Sequence, residues 1–155
     1  MHDHDGDMVF ELYPDLAPIT VKNFVDTARS GFYDGLAWCR IVKDYVIQGG
    51  SRTNDIMAEC DWHIKGEFLE NGVDNPLKHV RGAISMARDD ADDTADTQFF
   101  VVHKDAAKLD GRYAAFGEML SGFSVLDKIA DEPTYGPETW NKPVKMPVIR
   151  KITVE

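Results

Sequence analysis

Arg40–Gly50, reading RIVKDYVIQGG, sets one guanidinium and one carboxamide, Arg40 and Gln48, around an otherwise apolar strand that stops at a Gly pair. In the overlapping run Ala37–Val42 (AWCRIV), the two-residue period of a strand assigns Trp38, Arg40 and Val42 to one face and Cys39 and Ile41 to the other. One face then presents a cation framed by apolar side chains. An arginine snorkelling or ion-paired on the outside of a barrel gives the same pattern, so this segment alone leaves both readings open. Ser85–Arg88 (SMAR) and Thr97–Phe100 (TQFF) add a second amide and more aromatic surface. Alternation aligns Gln98 with Phe100, a pairing that ordinary strand packing also explains. Together the segments describe an apolar groove furnished with a fixed cation and hydrogen-bonding amides.

Outward from this stretch, Asp7–Tyr13 (DMVFELY) alternates in part and reads as a strand stopped by Pro14. Pro18–Ser30 predicts a helix, because Val21, Phe24, Val25 and Ala28 recur at helical spacing, Pro18 sits near the first turn and Gly31 just past the end. Further short strands are predicted at Leu36–Val42, Tyr45–Gln48, Gly82–Ala87, Thr97–His103, Tyr113–Glu118 and Val148–Val154, separated by turn clusters such as Tyr33–Gly35 and Leu109–Gly111. A second helix over Ser124–Ala130 groups Val125, Leu126 and Ile129 and ends before Pro133. Many short strands with two helices and no regular strand–helix alternation predict a mainly β fold, a closed or nearly closed antiparallel barrel capped by helices. No repeat or linker is visible, so residues 1–155 are expected to form a single domain.

Composition excludes several function classes. A chain of 155 residues can build a core without staples, and no apolar run approaches the ~18 residues that a bilayer span needs. No membrane role is expected. A formal charge of −10 and a pI near 4.8 argue against nucleic acid, which requires a basic face, and favour basic or neutral peptides as partners. The start MHDHDGD has neither the basic nor the apolar segment of a secretory signal, so export is not expected. Cys39 and Cys60 form no C-x-x-C pair, which argues against a disulfide framework or zinc knuckle and points to a reduced, cytoplasmic setting.

Signatures of hydrolase, metalloprotease and nucleotide chemistry are missing from the sequence, and no cofactor or metal is expected. His2–Asp3–His4–Asp5 reads as frayed polar sequence before it reads as a metal site. Asp89–Asp96 (DDADDTAD) carries five aspartates in eight residues, yet counting from Asp89 the positions where a calcium loop needs Gly and Glu hold Thr94 and Phe100. A solvated acidic loop is the expectation.

ELYPDLAPITVKNF (Glu11–Phe24), FYDGL (Phe32–Leu36), CRIVKDYVIQGG (Cys39–Gly50), IKGEF (Ile64–Phe68), NPLKH (Asn75–His79), RGAISMAR (Arg81–Arg88), QFF (Gln98–Phe100) and LDGRYAAFGEM (Leu109–Met119) follow one another in an order and spacing that resembles the cyclophilins, peptidyl-prolyl cis-trans isomerases, most closely their compact bacterial type. The resemblance covers roughly Asp7–Ala130 and implies a closed eight-stranded antiparallel β-barrel with two capping helices and a peptide groove on its outer face. Carried over residue by residue, it implies that Arg40 is catalytic and Gln48 its hydrogen-bonding neighbour. Tyr45, Val46, Met86, Phe100, Leu109, Tyr113 and Phe116 would then wall a proline pocket, with Ala87, Arg88 and Gln98 along the peptide path. Implied partners are proline-containing peptides and unfolded proteins, with the protein acting as a monomer in protein folding.

Several positions depart from the family pattern. Trp38 and Cys39 stand where Phe and His are usual, Tyr45 replaces Phe, and Asp96 replaces a common Gly. Lys108 occupies the place of the Trp found in cyclosporin-sensitive members, so weak cyclosporin binding is expected. Loop Ser51–Trp62 lacks the usual glycines, and the first strand is shortened. Beside an active isomerase stand two alternatives, a non-catalytic proline-peptide-binding or chaperone-like module and a barrel used only as an association scaffold.

Overall fold

The computed structural model describes residues 6–155, so the His2–Asp5 segment and any metal reading of it lie outside the described residues. Strands β1 (Val9–Leu12), β2 (Trp38–Val42), β3 (Val46–Gly49), β4 (Ala83–Met86), β5 (Phe99–Val102) and β6 (Ala115–Ser121) form a six-stranded antiparallel sheet in the order β1-β6-β4-β5-β3-β2. Two α-helices accompany it, α1 (Pro18–Arg29) and α2 (Phe123–Ala130).

The expected eight-stranded closed barrel is therefore corrected to an open six-stranded sheet, with β1 and β2 as its edges. Val148–Val154, expected as a strand, contributes only an isolated bridge between Ala37 and Val148. Pro143 and Pro147 remove backbone donors on its approach, and Gly6–Met8, ahead of β1, is not in a strand that it could pair with. The segment still docks. Trp38 donates its N–H to the Pro147 carbonyl, Ile149 bonds to both Leu36 and Gly35, and Ile152 and Val154 pack against the core. Its alternation is met in burial but not in a hydrogen-bonded ladder.

Strand alternation divides the interior in two. One face of the sheet, with Ile47, Ile84, Met86, Phe99 and Val101, builds the main core with the buried stripes of α1 and α2. Phe24 of α1 is its hub, with ring centroids 5.4 Å from Tyr33, 5.2 Å from Phe99 and 5.1 Å from Phe116. Ala17 gives α1 no side-chain cap; the buried carboxylate of Glu67 supplies one from a distant loop, accepting from the Thr20 N–H at 2.6 Å and hydroxyl at 2.7 Å. The opposite face gathers Val46, Ala83, Phe100 and Val102 with Ala106 and Leu109, and Tyr45, Ala87 and Tyr113 close over them.

A second correction concerns β2. The register shifts between Trp38, opposite Gly49, and Arg40, opposite Gln48, so Cys39 is an extra residue. A bulge of this kind breaks simple alternation. Trp38 consequently turns into the main core with Ile41, its ring 5.5 Å from Phe99, and does not share a face with Arg40. The Gly pair that ends β3 also has a steric reason: Gly50 has φ +86°, and a Cβ there would come within 2.6 Å of the Thr97 carbonyl oxygen.

Candidate active site

A cavity of about 550 Å³ opens over the smaller cluster. Its floor is Phe100, flanked by Val46 and Leu109, with Tyr113 set edge-on at a centroid distance of 5.8 Å. Behind Phe100 the His79 ring stacks at 5.9 Å and 22°. His79 is 1% exposed and fully partnered: Nδ1 lies 3.0 Å from Asp110 Oδ1, its backbone N–H donates to the same oxygen at 2.7 Å, and Nε2 lies 3.0 Å from Ser85 Oγ. Burial pushes the His79 pKa below its ordinary value and outweighs the pull of Asp110, so the ring is neutral at pH 7. Burial alone would raise the Asp110 carboxyl, but the bonds from His79 hold it below the usual carboxylate range. Neutral imidazole then donates from Nδ1 to Asp110 and accepts the Ser85 hydroxyl at Nε2. This Asp–His–Ser chain is no hydrolytic triad, because Ser85 is 0% exposed beneath the floor.

A second chain of polar groups runs along one side. Arg40 donates from Nη1 to Gln48 Oε1 at 3.3 Å, Gln48 donates to Gln98 Oε1 at 3.0 Å, and Gln98 donates to the carbonyls of Ile56 (3.1 Å) and Ala58 (3.2 Å). The relay fixes Gln48 in β3 against β5 and the loop beyond. Asp96 secures the same loop, accepting from the N–H groups of Thr97, Gln98 and Cys60. Arg40 Nε is buried with no partner, and among the described residues no carboxylate lies within ion-pair distance of this guanidinium. A buried donor at a cavity wall with no partner in the protein is left to an acceptor from outside it.

Arg88 is the opposite case. Its guanidinium donates to the carbonyls of Arg112, Asp89 and Asp90 and lies over the rings of Phe68 and Tyr113 at 4.8 and 4.7 Å. It braces the Tyr113 side of the cavity. Lys108 also lies over a ring, 4.2 Å from the centroid of Tyr45. The Cys39 thiol, pushed up to about 11 by burial, faces the Gln48 carbonyl at 3.7 Å and is not a nucleophile at neutral pH.

Arg40, Tyr45, Val46, Gln48, Ala87, Arg88, Gln98, Phe100, Leu109 and Tyr113 thus line one cavity. Met86 and Phe116 do not: they are 1% and 0% exposed in the main core. Ser85 faces the cavity side in β4, which turns its neighbour Met86 to the other face, and the Phe116 ring packs at a tilt against Phe24. Ile56–Glu59 and Asp96 form part of the rim, where the departures at Asp96 and in loop Ser51–Trp62 point to a changed groove edge; Asp89, Asp90, Thr94 and Trp140 also line it and were not singled out as site residues by sequence reasoning. The available signal was the loop character of 51–62 and 89–96 and the turn residues GPETWN around Trp140.

The family model described as cyclophilin type peptidyl-prolyl cis-trans isomerase/CLD matches residues 1–154. Peptidyl-prolyl cis-trans isomerase A of Dickeya dadantii (strain 3937) is 35% identical over 149 residues, covering 93% of this chain and 76% of that protein. Peptidyl-prolyl cis-trans isomerase B of Escherichia coli (strain K12) is 36% identical over 136 residues, covering 83% of this chain and 80% of that protein. Among solved structures, a cyclophilin type isomerase of Cryptosporidium parvum, crystallised in the presence of the dipeptide Ala-Pro, aligns with a TM-score of 0.86 at 28% identity, covering 99% of this chain and 94% of that one.

Proposed function

The chain belongs to the cyclophilin-type peptidyl-prolyl cis-trans isomerase family, and from that premise we propose that it turns X-Pro bonds in flexible or unfolded polypeptides by seating the proline ring on Phe100 and presenting Arg40 to the imide nitrogen. The observation that carries this reading is the Arg40 guanidinium, with its buried Nε unpartnered at the wall of an aromatic-floored cavity.

Peptide-bond rotation is slow because nitrogen lone-pair resonance with the carbonyl raises a barrier of ~18–20 kcal/mol. In the twisted state the nitrogen regains its lone pair and accepts a hydrogen bond that the planar amide cannot. A charge-assisted bond made only there is worth roughly 1.5–3 kcal/mol, about 10- to 100-fold in rate. Gln48 holds Arg40 through its Oε1, and the aromatic floor keeps the proline end dry. No nucleophile, metal or proton shuttle is needed for rotation about a bond that neither forms nor breaks.

The non-catalytic alternative drew on Trp38, Cys39 and the changed rim at Asp96 and loop Ser51–Trp62. The Trp38 and Cys39 side chains turn away from the cavity, which favours turnover, while the rim residues are part of its lining. Exchange spectroscopy on a proline peptide tests the reading: the protein is expected to broaden and exchange the cis and trans signals, and Arg40→Ala to abolish most of that effect. Binding of the peptide without faster exchange would favour the non-catalytic module. Lys108 over Tyr45 supports the expectation of weak cyclosporin binding, and calorimetry giving a nanomolar Kd would overturn it. A monomer working in the cytoplasm completes the proposal.

A further inference from the structure

The chain has three tryptophans, and two have structural partners: Trp38 is packed in the main core, and the Trp62 indole donates to Asn23 Oδ1 at 3.0 Å. Trp140 has none. It is 60% exposed, and among the described residues its indole has neither a hydrogen bond nor a ring contact. It nevertheless lines the cavity that holds Arg40.

Its backbone is held in a conformation that disfavours it. Trp140 has φ 58° and ψ 32°, and Asn141 follows at φ 55°. The left-handed region suits glycine and asparagine, whereas a bulky residue there is a genuine outlier. The surrounding turn enforces it: Trp140 N–H donates to the Pro137 carbonyl at 3.0 Å, Asn141 N–H to Gly136 at 3.0 Å, and Thr134 bridges to Pro143. Asn141 in turn accepts the N–H of Ile41 at 3.1 Å, which pins the turn to β2 beside Arg40. A large aromatic side chain is thus kept in a costly backbone, in solvent, at the catalytic edge of a cavity. Strain that the surrounding structure holds in this way clusters at active sites and ligand contacts.

We propose that Trp140 is a specificity-determining contact of this site, an apolar wall that selects X-Pro segments carrying an aromatic side chain next to the proline. This rests on the isomerase reading given above. With Phe100 taking the proline and Arg40 the imide, a side chain adjacent to proline extends toward the Arg40 edge, and the indole face is the surface it meets. Met57, 71% exposed and lining the same cavity from the 51–62 loop, adds a thioether suited to aromatic contact.

The test compares Gly-Phe-Pro-Gly, Gly-Gly-Pro-Phe and Gly-Gly-Pro-Gly by titration and by cis–trans exchange, using the whole chain and its Trp140→Gly and Trp140→Phe variants. The unaltered protein is expected to prefer one Phe peptide over the Gly peptide by about 3- to 10-fold in Kd, the size of one aromatic contact. Trp140→Gly should bring that ratio close to one while holding or raising the Tm, since glycine relieves the left-handed backbone. Trp140→Phe should keep most of the preference. Peptide binding should also shift tryptophan emission to the blue, a change missing in Trp140→Phe. An undiminished ratio in Trp140→Gly, equal losses for all three peptides, or no preference in the unaltered protein would each overturn the proposal. A failure to accelerate exchange in any peptide would count against the isomerase reading instead, and Trp140 would still be judged on affinity.

Discussion

The two walls of the cavity differ in how far the protein satisfies its own polar groups. Behind Phe100, Asp110, His79 and Ser85 leave no ring nitrogen without a partner, and Arg88 spends its guanidinium on three carbonyls and two rings. At the Arg40 wall a buried Nε is unpartnered, an indole stands in solvent and two consecutive residues occupy the left-handed region. An unmade hydrogen bond at a buried donor costs about 1–3 kcal/mol, and of the two walls the second is the one the protein leaves less satisfied. The contrast separates two tasks. On the proposed mechanism, the floor that receives the proline ring is fixed by internal bonds, whereas the wall assigned the chemistry keeps its donor for an acceptor that exists only in a twisted ligand.

The strongest way to break this comparison is Arg40→Ala. A fall of about 10- to 100-fold in kcat/KM is expected, with kcat carrying the loss, because the bond is made in the transition state. Stability should change little, since the substitution removes an orphaned donor along with one long bond to Gln48 and breaks no ion pair among the described residues. Calorimetric unfolding beside an exchange assay reads both. A large drop in Tm with little change in kcat/KM would reverse the roles assigned to the two walls.

The floor should respond in the opposite sense. Asp110→Ala strips the acceptor from the backbone N–H and the Nδ1–H of His79, and is expected to cost about 1–2 kcal/mol of stability in chemical denaturation. Catalysis by the folded fraction should fall less than for Arg40→Ala, because His79 is buried behind Phe100 and does not line the cavity. Equal damage to rate and stability would mean that floor and catalytic wall are not separable.

How much of this was legible in the sequence follows from the range over which each feature is encoded. Strand and helix positions rest on local period and on turn residues, and the expected spans of α1 and of β2–β6 overlap the observed ones. Arg40, Gln48 and Gln98 were legible for the same reason: each is a polar residue in an apolar strand. Closure of the barrel was not, since it depends on hydrogen-bonding between the chain's first strand and its last segment, where prolines interrupt the donors. The face of Trp38 was hidden by a one-residue bulge, which alternation cannot foresee. Glu67 caps α1 from 47 residues away, and the turn that carries Trp140 is tied to β2 beside Arg40 by the bond from the Ile41 N–H to the Asn141 carbonyl. Met86 and Phe116 were placed in the pocket by resemblance, although the period of their own strands turns them to the core.

The smallest expected effect is a pH dependence of the floor. The pKa of His79 in the folded chain lies below its ordinary 6.5, first because burial disfavours the imidazolium and despite the Asp110 bond. Protonation therefore favours the unfolded chain, whose histidine takes up a proton more readily. The stability that neutral His79 contributes is whole above pH 6.5 and is lost as the pH falls from there through the folded value. Asp110, held below its ordinary 3.8 by His79 even though burial opposes this, adds a second loss only as the pH falls below that value. The groups in contact with the imidazole are Asp110, Ser85, Phe100 and Tyr113, with Lys78 near the carboxylate and opposing a charged ring. Between pH 7 and pH 5 the urea midpoint should accordingly fall, and His79→Gln should flatten that slope while lowering the midpoint at pH 7. Arg40→Ala, by contrast, should shift parallel to the unaltered protein across the same range, because no titrating group is bonded to the guanidinium. A slope that Arg40→Ala removes and His79→Gln leaves in place would show that the pH response belongs to the catalytic wall, and the division between a satisfied floor and a waiting cation would no longer hold.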